Sequence, residues 1–155
     1  MADPLILVAH NLSAIAGELR EYGRALKLVI EETSIDFGAD SDTPIIKSYT
    51  AGAVASMIII KACGFYDEVN NYYSRYHRET QTPTIQAAIK ELNQLVKTTK
   101  IKDLRNYVLA HNNREKDQLL TYNDIIKKQR LYEPEDYYQL IECCKKVAAE
   151  VMALI

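Results

Sequence analysis

The chain has 155 residues, 48% of them apolar and 26% charged, and a net charge of only −2. That balance fits one ordinary globular domain, residues 1–155, with room for a full core, and excludes a polycationic chain. The three cysteines, Cys63, Cys143 and Cys144, give no disulfide framework and point to a reduced, cytoplasmic setting, and no membrane anchor is expected, since 5–9 is too short for a signal-peptide core and the apolar run 51–65 is interrupted by Lys61 and too short to span a bilayer.

Asp3 as N-cap and Pro4 at the first helical position open a helix. Leu5, Val8, Leu12, Ile15, Leu19, Tyr22, Leu26 and Val29 then recur at alternating steps of three and four, a heptad stripe running to Ile30. Residues 33–44 are turn-rich and acidic and read as a loop. A second long helix is expected from about Ser48, carrying Ala51, Ala55, Ile58, Ala62, Phe65, Val69, Tyr72 and Tyr76 on one stripe, with small residues in its first half that let a neighbour approach. Thr82-Pro83 repeats the cap-plus-proline start, and Ile85, Ile89, Leu92 and Val96 make a shorter amphipathic helix. Lys97-Thr98-Thr99-Lys100 reads as a break, after which Ile101, Leu104 and Val108 resume the apolar spacing, and Asn112-Asn113 as a stop.

Residues 119–132 read as irregular with one short helix near Thr121. Pro134 opens the last helix, with Glu135 and Asp136 well placed against its N-terminal dipole and Tyr137, Ile141, Cys144, Ala148, Val151 and Ile155 on its buried stripe. No segment of useful length has the strand period. The expected fold is all-α: a bundle of four principal helices plus a short one. Eleven tyrosines stand against two phenylalanines and no tryptophan, and many of these rings are expected half-buried with the hydroxyl in water.

Charge is unevenly distributed. Residues 1–96 hold 8 Lys+Arg and 12 Asp+Glu, 131–155 hold 2 and 5, and 97–130 hold 9 and 4, a local +5. A positive segment concentrates anionic substrates nearby, although charge alone reads more readily as a solvated face. Within it lies Arg105-Asn106-Tyr107-Val108-Leu109-Ala110-His111. Core packing does not ask for Arg, Asn and His so close together. Phosphate chemistry does: Arg offers a permanently charged fork and His moves a proton near neutral pH. In one straight helix, six steps turn about 600°, so Arg105 and His111 lie about 120° apart and about 9 Å along the axis. A shared site therefore needs a helix that ends before His111 or a second copy of the motif.

The segment 104–113, with Leu104-Arg105-Asn106 and, after three residues, Ala110-His111, resembles the signature of the HEPN superfamily, and most closely its abortive-infection and toxin–antitoxin branch. The resemblance covers about ten residues. It implies an all-α, HEPN-like domain, often a metal-independent endoribonuclease in which two motifs meet at a homodimer axis, with an antitoxin as a possible partner. On that basis His111 is the expected general acid or base, Arg105 the stabiliser of phosphoryl charge, and Asn106 a hydrogen-bonding group for substrate or for His111. Lys102 and Arg114 are candidates for neighbouring RNA phosphates, and no metal or cofactor is called for. One departure is plain: many relatives place an acid soon after the His, whereas Asn112, Asn113 and Arg114 follow here and Asp117 comes later.

Two other readings compete. The first keeps the HEPN bundle as a non-catalytic interaction or nucleotide-binding module, dimeric and paired with another protein. The second is an unrelated bundle in which His111 caps a helix C-terminus, Arg105 is an exposed helix residue and Asn106 is neutral. Other chemistry is weakly signalled. His10 and His77 are isolated, no zinc-ligand pair exists, Asp67-Glu68 reads as a surface pair, Cys143-Cys144 as core, and the five glycines form no phosphate loop.

Overall fold

The computed structural model describes residues 3–31, 43–111, 114–115, 118–119 and 134–155. Among the described residues five helices carry the fold: α1 (Pro4–Glu31), α2 (Thr43–Glu68), α3 (Pro83–Thr99), α4 (Ile101–His111) and α5 (Pro134–Met152). A two-residue antiparallel pair, β1 (Arg114–Glu115) with β2 (Gln118–Leu119), follows α4. The all-α bundle of four long helices and one short one is thus the fold. The loop expected at 33–44 falls largely outside the described residues, as do the short helix near Thr121 and the stop at Asn112-Asn113. Among the described residues no helix is long and apolar enough to cross a membrane.

The start signals act as expected. Asp3 Oδ1 accepts the Leu5 amide at 2.9 Å and Thr82 Oγ1 accepts the Ile85 amide at 3.2 Å, each satisfying a first-turn donor with no partner inside the helix. The helix α2 begins at Thr43 rather than near Ser48. Thr43-Pro44 is the same Thr-Pro pair that opens α3, and a proline in the first turn has the right φ and no amide to waste.

Helix α1 packs on both α2 and α5, α5 on α3, and α2 on α4. Val8, Leu12, Leu19, Leu26 and Val29 of the α1 stripe are buried, and Leu5, Ile15 and Tyr22 are partly buried against the same core. Buried Gly23 lets α5 come close, since a Cβ there would lie 2.7 Å from Ile141 Cδ1. The stripe of α2 holds from Ala51 to Val69 and then shifts. A π-helical turn at Val69–Tyr73 adds one residue before the final turn Ser74–Tyr76. The expectation for Tyr72 and Tyr76 is therefore corrected: they are 53% and 59% exposed, and Tyr73 takes the core position instead. Its hydroxyl lies 3.2 Å from Thr80 Oγ1 and its ring stacks on His77. In α5 the stripe is buried through Val151, but Ile155, three residues past the helix end, is exposed. Tyr22 and Tyr66 are half-buried as expected; Tyr138 is half-buried too, but its hydroxyl is shielded from solvent and not in water, and Tyr73 and Tyr137 are fully buried.

The glycines give a direct test of this packing. A Cβ at Gly17 or Gly64 meets nothing within 4 Å, so Gly17→Ala and Gly64→Ala should each stabilise by roughly 0.5–1 kcal/mol through helix propensity. Gly23→Leu should destabilise by about 1–3 kcal/mol by overpacking against Ile141. Urea midpoints at unchanged slope read all three.

Candidate functional site

The break before the site is a single residue. Lys100 has φ 54° and ψ 33°, left-handed values that end α3, and its carbonyl then accepts the amides of Asp103 (3.1 Å) and Leu104 (3.3 Å) to start α4. One helix thus ends and the next begins at the same residue. Ile101 and Leu104 turn inward and are buried, and the Cys63 thiol of α2 donates to the Ile101 carbonyl at 3.4 Å. With that face fixed on α2, Lys102 and Arg105 are carried to the seam between the two helices.

There they share one carboxylate. Arg105 Nη1 donates to Asp67 Oδ2 at 2.8 Å, and Lys102 Nζ lies 3.5 Å from Asp67 Oδ1. The Lys102 ammonium also sits 4.8 Å above the Tyr66 ring, a cation–π contact. The Arg105 side chain is 25% exposed and its Nε is buried with no acceptor among the described residues. Arg105 is therefore a held guanidinium at a helix seam and not a free surface residue. The carboxylates of Asp67 and Glu68, expected on the surface, are half-buried: Asp67 joins this cluster and Glu68 accepts from Asn11 Nδ2 at 3.3 Å. Nothing in the sequence pairs Asp67 with Arg105 across 38 residues. The available signal was indirect, a carboxylate four residues after Cys63 on the stripe that meets α4.

Asn106 follows Arg105 and is exposed. Helix α4 runs unbroken to His111, so of the two routes to a shared site, a helix ending before His111 is not the one taken. Within one chain Arg105 and His111 stay about 120° apart around the helix and about 9 Å along it. The side chains of His111 and Arg114 lie outside the described residues. Residues Lys102 and Arg105 are brought together by Asp67, and Asn106 lies beside them in sequence on the outer face.

The three thiols are free and buried. Burial pushes Cys63 and Cys143 up to about 11 and Cys144 well above its ordinary value, which suits core residues and not nucleophiles. Among the described residues no group of three His, Cys, Asp or Glu side chains is placed to hold a metal ion. His10 is exposed on α1 and His77 stacks on Tyr73, far apart in sequence and role. Comparison of the chain with family models, curated proteins and solved structures finds no match.

Replacing Asp67 by Ala leaves the partly buried guanidinium without its carboxylate, and should cost about 1–3 kcal/mol, the range for orphaning a hydrogen-bonded partner, read as a lower urea midpoint. The thiols set an alkaline limit. Their folded pKa values are raised, so the unfolded chain loses these protons first. Their contribution is fully present below the ordinary thiol pKa and declines from about pH 9 towards 11. Denaturation midpoints should fall over that window, and the fall should shrink in Cys63→Ala compared at equal starting stability.

Proposed function

We propose that the protein is a metal-independent endoribonuclease of HEPN type, a toxin or phage-defence protein acting as a homodimer. The observation that carries this reading is the unbroken α4 that presents a carboxylate-held Arg105, an exposed Asn106 and His111 on one short basic element. A held guanidinium is pre-oriented, and oriented charge is what stabilises a phosphorane-like transition state. In the proposed reaction the ribose 2′-hydroxyl attacks its own phosphodiester, the P–O5′ bond breaks, and a 2′,3′-cyclic phosphate and a 5′-hydroxyl form. His111 of one copy takes or returns the proton, Arg105 meets the charge on the non-bridging oxygens, Asn106 hydrogen-bonds substrate, and Lys102 and Arg114 hold flanking phosphates. The 120° offset within one helix is the reason a second copy enters: a two-fold axis beside α4 brings one copy's Arg105 towards the other's His111.

One observation favours a second reading. Asp67 already neutralises Arg105 within the chain, as suits a non-catalytic module whose α4 docks a partner protein such as an antitoxin. Catalysis separates the two. Wild-type protein incubated with RNA in chelator should give products ending in 2′,3′-cyclic phosphate, and His111→Ala should lose about 10²–10⁴-fold in rate. Mixing inactive His111→Ala with inactive Arg105→Ala should restore about a quarter of the activity, because half the dimers are mixed and each mixed dimer has one intact composite site. No cleavage by wild type, with α4 still in a protein interface, moves the assignment to the interaction module.

A further inference from the structure

The solvent face of α3 is not neutral ground beside this site. Two adjoining depressions, of about 360 Å3 and 210 Å3, share Asn93 and Lys97 as common walls. The first runs along α3 past Gln86 and Lys90 to Gln81, and the second passes Lys100 and Lys102 to Tyr66. Since Lys102 and Arg105 share Asp67, the groove ends at the candidate site.

We infer that this groove binds the single-stranded RNA that leads to the scissile phosphate, with Lys90, Lys97 and Lys100 as its phosphate contacts. The inference rests on the ribonuclease reading and extends it to a surface outside the motif. Its first support is the pairing state of the lysines. Elsewhere on the protein Lys61, Lys145 and Lys146 each meet a glutamate. Lys90, Lys97 and Lys100 have no carboxylate within ion-pair distance among the described residues, and the one acid of α3, Glu91, is turned away to Lys146 at 2.9 Å. Among the described residues the single carboxylate lining the groove is Asp103, near its α4 end. Unpaired like charges lined up on one face repel one another and favour a polyanion across them.

Its second support is the polar lining. Gln81 Nε2 is shielded from solvent and has no acceptor among the described residues, an unused donor at the far end of the groove. The Asn93 amide is fixed by reciprocal contacts to Asn70 at 3.1 and 3.4 Å, so its position does not depend on ligand. The Tyr66 ring lies at the near end beneath Lys102. Amides for base edges, a ring and spaced lysines are the parts of a single-strand site. Lys90 and Lys97 stand about 10 Å apart along the helix, a span of a few nucleotides and not of a folded domain.

The test uses full-length His111→Ala protein, so that RNA stays intact, and a 5′-labelled single-stranded RNA oligonucleotide followed by anisotropy across a salt series. Adding Lys90→Gln, Lys97→Gln and Lys100→Asn removes three charges, with Asn chosen because it tolerates the left-handed φ of Lys100. The slope of log affinity against log salt should become shallower by about 2, from about 0.7 per lost phosphate contact on a single strand. Lys27→Gln with Lys145→Gln removes two charges from the cleft between α1 and α5 and should leave the slope unchanged; unchanged thermal midpoints verify the fold in both. An unaltered slope in the triple variant overturns the inference, as does equal competition by a polyglutamate of the same charge, or no binding by the parent. RNA that is bound with the expected slope but never cut by wild type leaves the groove standing and removes the ribonuclease reading. RNA cut equally well by wild type and by the triple variant in the wild-type background does the reverse.

Discussion

Helix α4 has 11 residues, a length at which a helix in water is marginal on its own. It stands because Ile101 and Leu104 are buried against α2 and because Asp67 takes up Arg105 at the seam. The apolar pair fixes which face looks inward. The ion pair fixes rotation about that face, since an arginine with a 2.8 Å partner has one preferred direction. Everything proposed for the motif depends on this docking, because Asn106 and His111 take their directions from the same helix. A partly exposed ion pair contributes little net stability, so the hydrophobic contact holds the helix and the carboxylate orients the charge.

The left-handed Lys100 is the second constraint. Had the helix continued through residue 100, Ile101 would stand about 150° and Leu104 about 90° around the helix from the line of Ile85, Ile89, Leu92 and Val96, out of register with the face that meets α5. The turn redirects both onto α2 and leaves a corner between α3 and α4. That corner is the near half of the lysine-lined groove. One residue's backbone thus separates the element that packs into the four-helix core from the element that carries the motif, and creates the depression joining them.

Much of this was legible in the sequence. Heptad spacing placed α1, the Thr82-Pro83 pair placed the start of α3, and the run 97–100 marked the turn, because each is a local signal with a local cause. The misses are of other kinds. Tyr72 and Tyr76 were put on the buried stripe because periodicity assumes 3.6 residues per turn, and the π turn at Val69–Tyr73 breaks that assumption with no sequence mark. The motif was visible as residues, but the pairing of Arg105 with Asp67 depends on how α2 and α4 cross, a tertiary fact. The groove was invisible because Lys90 lies outside the basic segment and because a polar helix face reads the same whether it is solvated or lines a cleft.

Charge counting therefore needs the pairing pattern before it says anything about partners. The cleft between α1 and α5 holds Arg20, Arg24 and Lys145, and by residue count looks as attractive to an anion as the α3 groove. Yet Glu21 lies 3.0 Å from Arg20 and 3.2 Å from Arg24, and Glu142 lies 2.6 Å from Lys145. An incoming phosphate there must compete with carboxylates already in place. Along α3 it meets lysines in a groove whose one lining carboxylate among the described residues is Asp103 at its end, with Glu91 already taken up by Lys146. Two surfaces of similar composition thus differ in the free charge they present. The one with more unpaired charge among the described residues is also the one that runs to Lys102 and Arg105, so the field that favours a polyanion adjoins the motif.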